Sequence, residues 1–526
     1  MKVLVTEQIS AAGIELLKQE KSFEVDVRIG LSAPELVAAI VDADALIVRS
    51  KTKVNRALID VGERLKVIGR AGSGVDNIDL EAATKHGVIV MNTAGGNSTS
   101  VAEHTIALLL SLARHIPQAG ASMRKGKWEK SAFMGIELHG KTLGIVGLGR
   151  IGAEVARFAK TLKMHVLAYD PFVSTKVAED IGVRLGPLDE ILSQADFITL
   201  HTSLTDNTRR LVNAQTIAKM KNGVRLVNCA RGELIHEDDL RQALTSGKIA
   251  AAALDVFAVE PPLDDRLTSL PNVIGTPHIG ASTHEAQEKV GNEIAEQIRD
   301  FLKDGIVRNA VNFPSVSFEE YKTVGPYLQL AEKLGAFISQ ISEGRMNEIG
   351  IRYYGDLTEM NTGLISSAVV KGILNPILSE RVTPVNAQAI ARSRGITLIE
   401  SRSNRERSFS NLISIKLRTH TGEEWVEGTV LHKNNLRLVS VDGIDIEAPL
   451  TGAMLFIRNN DQPGVIGHVG TVLGDQAINI ANFALGRGEQ AKDAIGVVNV
   501  DEIIPEPVMS QIRSLPAVEF AKIIVI

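Results

Sequence analysis

The sequence predicts an α/β chain: two doubly wound parallel-sheet units, then an α+β segment, then a small ferredoxin-like unit. Three observations carry this. Short apolar runs alternate with helical stretches from Lys2 to about Asn97 and again from Lys141 to about Pro277, the order of βαβ series. After Asn312-Phe313-Pro314-Ser315 strand patterns dominate. From Ala453 to Ile526 the order is βαββαβ. A chain of 526 residues is too long for one core. The pattern changes divide it into 1–98, 99–282, 283–314 returning to the first unit, 315–452 and 453–526.

In the first unit the predicted strands are Val3–Thr6, Glu24–Arg28, Ala45–Arg49, Lys66–Arg70 and Val88–Asn92, followed by a long helix over Ser98–Arg114. In the second they are Leu143–Val146, His165–Tyr169, Phe197–Leu200, Arg225–Asn228, Ala251–Asp255 and Val273–Thr276. Thr283 to Leu302 reads as a polar-faced helix that takes the chain back. The segment beyond Pro314 predicts strands at Glu348–Tyr354, Ile396–Glu400, Asn411–Leu417, Glu424–Leu431 and Leu436–Val441 with few helices between them. The last unit predicts strands at Leu455–Arg458, Ile478–Leu485, Ala494–Val500 and Glu519–Val525, with helices at Gly464–Leu473 and Glu506–Leu515.

Bulk composition narrows the function classes. Apolar residues make up 44% and charged residues 23%, ordinary for a water-soluble globular chain. A net charge of −5 without long runs of one sign gives no support for nucleic-acid or membrane-surface binding. The single cysteine, Cys229, excludes an intrachain disulfide and fits a reducing, cytoplasmic setting. Met1 to Glu7 enters a strand pattern at once, which predicts no signal peptide. No His/Cys cluster has metal-ligand spacing.

Gly147-Leu148-Gly149-Arg150-Ile151-Gly152 lies between a buried strand and a helix, and a second strand ends at Asp170, eighteen positions beyond the last glycine. Gly147 permits a tight turn, Gly149 lets a pyrophosphate approach the backbone, and Gly152 lets helix and strand pack closely. The helix N-terminus offers free N–H groups to the phosphates. Asp170 is placed to accept from both hydroxyls of an adenosine ribose and to repel a 2′-phosphate, which predicts NAD rather than NADP.

Three segments fall at strand ends of the same unit, where open parallel sheets bind ligands: Asn228-Cys229-Ala230-Arg231-Gly232, Asp255 to Pro262, and Thr276-Pro277-His278-Ile279-Gly280-Ala281. Hydride chemistry on a hydroxy acid needs a forked cation for the carboxylate, which Arg231 supplies. It needs a group titrating near neutrality, which is His278, and a carboxylate to orient that imidazole, which is Glu260. Taken singly, Arg231 reads as a surface ion-pair partner, Glu260 as a turn residue and His278 as a loop histidine. Together on one nucleotide-binding sheet they read as a catalytic set. Cys229 reads as packing at a strand end.

These segments, with Arg49-Ser50, Gly69 to Asn77 and Gly126-Lys127-Trp128, resemble the D-isomer-specific 2-hydroxyacid dehydrogenases over essentially the whole chain. They are most similar to the family's long type, which acts on 3-phosphoglycerate. The resemblance implies a flavodoxin-like substrate domain and a Rossmann NAD domain, followed by an intervening domain and an ACT domain. It implies NAD-dependent oxidation of D-3-phosphoglycerate to 3-phosphohydroxypyruvate, the entry to phosphorylated L-serine biosynthesis. Arg231, Glu260 and His278 become the catalytic trio. Cofactor contacts are implied for Ser73, Gly147, Gly149, Arg150, Ile151, Gly152, Asp170, Thr202, Cys229, Ala230, Arg231, Asp255, His278, Ile279, Gly280 and Ala281. Substrate contacts are implied for Arg49, Ser50, Arg70, Gly72, Ser73, Gly74, Asn97, Arg231 and His278, with Lys130 added from a neighbouring subunit of a homodimer or homotetramer. Hinges are expected near Asn97-Ser98 and Ala281-Ser282.

The last unit resembles an ACT domain, with Asn459, Asp461 and Asn479 as effector residues and L-serine as the implied ligand; a pure dimerisation module is the alternative. The intervening domain is structural or allosteric by the same resemblance. Two other functions compete: reduction of another 2-keto acid such as hydroxypyruvate or 2-oxoglutarate, and a nucleotide-sensing module. Arg49 with Arg70 favours a phosphorylated or doubly acidic substrate, and the intact Arg231, Glu260 and His278 favour an enzyme.

Overall fold

The computed structural model describes residues 1–314, 318–360, 362–432, 434–488 and 493–526. The boundary expected at Ser315 lies outside the described residues. In the first unit, β1 (Lys2–Val5), β2 (Glu24–Val27), β3 (Ala45–Val48), β4 (Val67–Arg70) and β5 (Ile89–Asn92) form a parallel sheet in the order β2-β1-β3-β4-β5. The central strand β3, Ala-Leu-Ile-Val, is buried throughout, as expected where helices cover both faces.

The second unit is a seven-stranded parallel sheet of β6 (Thr142–Val146), β7 (His165–Tyr169), β8 (Arg184–Leu185), β9 (Phe197–Leu200), β10 (Val224–Asn228), β11 (Ile249–Leu254) and β12 (Val273–Gly275). Its order, β12-β11-β10-β9-β6-β7-β8, reverses direction at β6, which places the glycine loop at the topological switch point. The two-residue edge strand β8 is too short to leave a pattern in the sequence.

The helix His284–Asp304 packs on the first unit. Val290, Ile294 and Ile298 pack into the same core as Val3, Val5 and Ile47. A Cβ on Gly13 would meet the Gly291 carbonyl oxygen at 2.6 Å, so two glycines let this helix lie against Ala11–Lys18. The chain makes two crossings between the units, near Asn97-Ser98 and near Ala281-Ser282. They are tied to each other by Ser100 Oγ and Thr283 Oγ, 2.8 Å apart.

Beyond Pro314 lies a mixed sheet of β13 (Met346–Tyr354), β14 (Thr397–Ser403), β15 (Leu412–Thr419), β16 (Glu423–Leu431), β17 (Asn435–Val441) and β18 (Ile444–Pro449), in the order β14-β13-β15-β16-β17-β18. It carries more helix than the sequence pattern suggests, notably Phe318–Ile341 and Gly363–Leu374. Gly363–Leu374 is buried almost all round, so it shows no amphipathic stripe to read. Arg381 Nη1 donates to the carbonyls of Glu63 and Leu65, both at 3.1 Å, and docks this unit on the first.

The final sheet is β19 (Ala453–Asn460), β20 (Ile480–Arg487), β21 (Asp493–Val500) and β22 (Val518–Val525), antiparallel in the order β20-β21-β19-β22, the ferredoxin-like arrangement. One face is covered by its own helices. The other, with Met454, Phe456, Val497 and Ile524, shares a core with the preceding unit, and Phe456 meets Phe337 edge to face at 5.6 Å. No helix among the described residues is long and apolar enough to cross a membrane.

Candidate active site

The glycine loop turns tightly between β6 and the helix Arg150–Thr161. Gly147 adopts φ +96°, and a Cβ there would lie 2.6 Å from the His201 carbonyl oxygen and 2.8 Å from Thr202 N. A Cβ on Gly152 would lie 2.1 Å from the Gly147 carbonyl oxygen, whereas Gly149 faces open space. The loop is thus closed behind and open in front, a cradle that fits a pyrophosphate at the N-terminus of the helix Arg150–Thr161. Ile151 packs against the apolar core of this unit. Asp170 Oδ2 accepts from Leu148 N at 2.8 Å and Oδ1 from Phe172 N at 2.8 Å. It therefore braces the loop while each oxygen keeps a lone pair for a ribose hydroxyl. The protein around His201 pushes its imidazole pKa down to about 4, so it stays neutral beside Thr199 Oγ, 2.9 Å away.

The three strand-end segments meet. Asn228 Oδ1 accepts from Ala230 N at 3.0 Å and its Nδ2 donates to the Arg231 carbonyl at 2.8 Å, which turns the chain out of β10. A Cβ on Gly232 would sit 1.9 Å from the Phe257 carbonyl carbon. Only glycine lets these two loops lie backbone on backbone, which seats the Arg231 turn on the segment that leads to Glu260. Glu260 Oε1 accepts from Phe257 N at 3.2 Å, and Oε2 lies 2.7 Å from His278 Nδ1.

The Glu260 hydrogen bond raises the His278 pKa, against the opposing effect of burial. Burial works against the Glu260 carboxylate, but the His278 bond and charge outweigh it and hold its pKa below the usual range. With Nδ1 occupied, Nε2 is the nitrogen left for proton transfer. His278 itself has φ +53°. Its loop is held by buried Asp255, which accepts from Ile279 N and Gly280 N, each at 2.8 Å, and from Thr276 Oγ at 2.6 Å. His104 Nε2 approaches the same carboxylate at 3.3 Å. Although burial opposes it, these bonds keep Asp255 ionised. Ala281 accepts from Gln287 Nε2 at 2.7 Å where the chain leaves the loop.

Across the cleft, Glu7 holds the Arg49-Ser50 loop: its carboxylate accepts from the backbone N–H of Arg49, Lys51 and Thr52 at 2.8–3.2 Å. Asn77 Nδ2 donates to the carbonyls of Arg49 and Thr52, both at 2.7 Å. Ser73 Oγ donates to Asn97 Oδ1 at 2.8 Å. The glycines flanking Ser73 make room for cations. A Cβ on Gly72 would lie 1.5 Å from Arg70 Nη1, and one on Gly74 would lie 2.1 Å from Arg231 Nη2. Burial, followed by the charges of Arg231 and Arg49, lowers the Arg70 pKa to about 10, still cationic at neutrality. Arg70 Nε is buried and unpaired. Three arginines thus converge on a space suited to an anion. Arg150 Nη1 crosses the cleft to the Ala94 carbonyl, and Arg231 Nε crosses to Asp76 Oδ2 at 3.0 Å.

Cys229 is buried and its thiol is pushed up to about 12 by desolvation, so it is inert. The effector residues do not gather in one chain. Asp461 binds Arg487 Nε at 2.7 Å and buried Asn459 donates to the Asn460 carbonyl at 2.8 Å. Asn479 sits at the opposite end of the sheet on Asp501 Oδ2 at 2.7 Å, because β20 runs the length of the sheet between Asn479 and Arg487. Sequence reasoning missed Glu7 and His104. Each lies far along the chain from what it supports, so no spacing announces it.

Residues 106–280 match the D-isomer specific 2-hydroxyacid dehydrogenase NAD binding domain, 323–442 the D-3-phosphoglycerate dehydrogenase intervening domain, and 453–517 the ACT domain. The D-3-phosphoglycerate dehydrogenase of Methanocaldococcus jannaschii is 45% identical over 525 residues, covering 100% of this chain and 99% of that protein. That of Bacillus subtilis is 42% identical over 523 residues, covering 99% of both. Among solved structures, D-lactate dehydrogenase from Aquifex aeolicus with NAD and lactic acid is 28% identical, with a TM-score of 0.53 over 60% of this chain and 100% of that one.

Proposed function

The chain belongs to the D-isomer-specific 2-hydroxyacid dehydrogenases, in the D-3-phosphoglycerate dehydrogenase branch, and from that premise we propose how its residues divide the work. The reaction is NAD-dependent oxidation of D-3-phosphoglycerate to 3-phosphohydroxypyruvate, the first step of phosphorylated serine biosynthesis. NAD supplies the hydride acceptor. Gly147, Gly149, Arg150, Ile151 and Gly152 hold its pyrophosphate, Asp170 its ribose, and Ser73, Thr202, Cys229, Ala230, Asp255 and Ile279 to Ala281 line the rest of the cofactor site.

Arg231 holds the substrate carboxylate with its guanidinium fork. Arg49 and Arg70 take the phosphate, with Ser50, Gly72 to Gly74 and Asn97 shaping the pocket around the substrate. His278 Nε2 accepts the proton of the C2 hydroxyl, and Glu260 holds the imidazole by Nδ1 and stabilises its protonated form. The observation that carries this reading is the 2.7 Å Glu260–His278 pair facing the same cleft as Arg231. Residues 1–98 with 283–314 bind substrate, 99–282 bind NAD, 315–452 connect, and 453–526 regulate.

L-Serine is the proposed effector. A homodimer or homotetramer is favoured by large apolar side chains left in water beyond the C-terminal end of the helix Ser98–Arg114, including Trp128 at 82% and Met134 at 81% exposure. Lys130 of such a partner would reach the phosphate. The single cysteine suits a reducing, cytoplasmic setting.

The test follows NADH absorbance with 3-phosphohydroxypyruvate against hydroxypyruvate, 2-oxoglutarate and pyruvate, with and without L-serine. Turnover confined to an unphosphorylated keto acid would overturn the phosphate assignment of Arg49 and Arg70. Wild-type activity in His278→Ala would overturn the proton-transfer role.

A further inference from the structure

We propose that Asp76 is a positioning residue that aims the Arg231 guanidinium at the substrate. Asp76 lies in the first unit and Arg231 in the second, 155 positions apart in the chain, yet Asp76 Oδ2 takes Arg231 Nε at 3.0 Å. The other end of the planar group is held by Nη1 donating to the Ala230 carbonyl at 2.7 Å. Two points at opposite ends fix the plane. They leave Nη2 directed at the Gly74 backbone, where an added Cβ would stand only 2.1 Å away.

Asp76 is itself well placed to act as a fixed anchor. Its neighbour Asn77 is locked to the Arg49 and Thr52 carbonyls, both at 2.7 Å, and Val54 N donates to the Asn77 carbonyl at 2.8 Å. The other carboxylate near the arginines, Glu7, is committed to three backbone amides. Asp76 therefore supplies negative charge to a cluster of Arg49, Arg70 and Arg231 that would otherwise repel itself. The side chains are 63% and 30% exposed for Asp76 and Arg231. Such a pair adds little to folding stability, so its effect lies in orientation. Because it bridges the cleft, it also makes the aim of Arg231 depend on closure of the two units.

This rests on the reading of Arg231 as the carboxylate clamp, so the test separates the two. Asp76→Ala, Asp76→Asn, Arg231→Ala and the double variant Asp76→Ala/Arg231→Ala are compared by steady-state kinetics with 3-phosphohydroxypyruvate. Substrate and NADH dissociation constants are measured alongside by calorimetry. Asp76→Ala is expected to raise KM about tenfold, as for a lost charge-assisted contact, with NADH affinity within about twofold and the melting temperature unchanged. Asp76→Asn keeps an acceptor oxygen and recovers most of the loss. In the Arg231→Ala background Asp76→Ala adds nothing further to the substrate dissociation constant. An unchanged KM in Asp76→Ala, or a penalty that persists in full without Arg231, overturns the positioning role and leaves the clamp standing. Unchanged substrate affinity in Arg231→Ala removes the clamp assignment and the proposal with it.

Discussion

Replacing Glu260 by Gln keeps the shape of the side chain and removes the charge that faces His278. Oε2 and Nδ1 are 2.7 Å apart, with 50% of the His278 and 38% of the Glu260 side chain exposed. A charge-assisted hydrogen bond contributes about 1.5–3 kcal/mol. Solvent screening at this exposure roughly halves it, leaving ~1 kcal/mol, about fivefold in rate. The sign follows from the raised His278 pKa. Glu260 favours the imidazolium, so Glu260→Gln lowers the pKa of His278.

Reduction of the keto acid needs protonated His278, so the alkaline limb of kcat/KM should move to lower pH and the rate above that limb should fall. Oxidation needs the neutral ring, so its acid limb should move the same way and activity at low pH should rise. The assay is the pH profile of NADH oxidation and of NAD reduction for both proteins. Coincident limbs in the two would refute the argument that Glu260 sets the His278 proton affinity.

The same pair makes stability depend on pH in a defined window. The His278 contribution is lost as pH rises through its raised pKa and the Glu260 contribution as pH falls through its lowered one; equal melting temperatures across both limits would contradict this. Asp170→Ala should relax NAD selectivity and also weaken NAD binding by about 1–2 kcal/mol, because Leu148 N loses its acceptor; unchanged affinities for NAD and NADP would exclude both roles. In Gly232→Ala the new Cβ must move about 1.5 Å to reach normal contact from 1.9 Å, enough to lower kcat/KM about a hundredfold; wild-type kinetics would show that the Arg231 turn is not seated on the Phe257 backbone. Cys229, with its thiol at about 12, should resist alkylation at neutral pH in the folded protein, and rapid labelling would refute its burial.

Much of this protein is legible along the chain because the relevant signals are local. Apolar runs of strand length separated by helical stretches specify parallel sheets through burial on both faces, and the strands so read match the observed ones to within one or two residues in both α/β units. The glycine loop is legible because each glycine answers a steric demand made within the same βαβ segment. Arg231, Glu260 and His278 are legible because parallel sheets present their strand ends on one edge, so separate segments can be placed together from topology alone. What stays hidden depends on approach across the fold. The helix Gly363–Leu374 has no polar face, and the fourth sheet is apolar on both faces because it shares a core with the third. The resemblance groups Asn479 with Asp461 as effector residues, but β20 carries the two to opposite ends of the sheet. Likewise, nothing beside Asp76 in the chain points to Arg231, 155 positions away; only the approach of the two units shows that it holds that guanidinium. Periodicity and spacing report what a residue demands of its neighbours in the chain, whereas ion pairs and shared cores between units are set by the docking of whole sheets, to which no short stretch of sequence is sensitive.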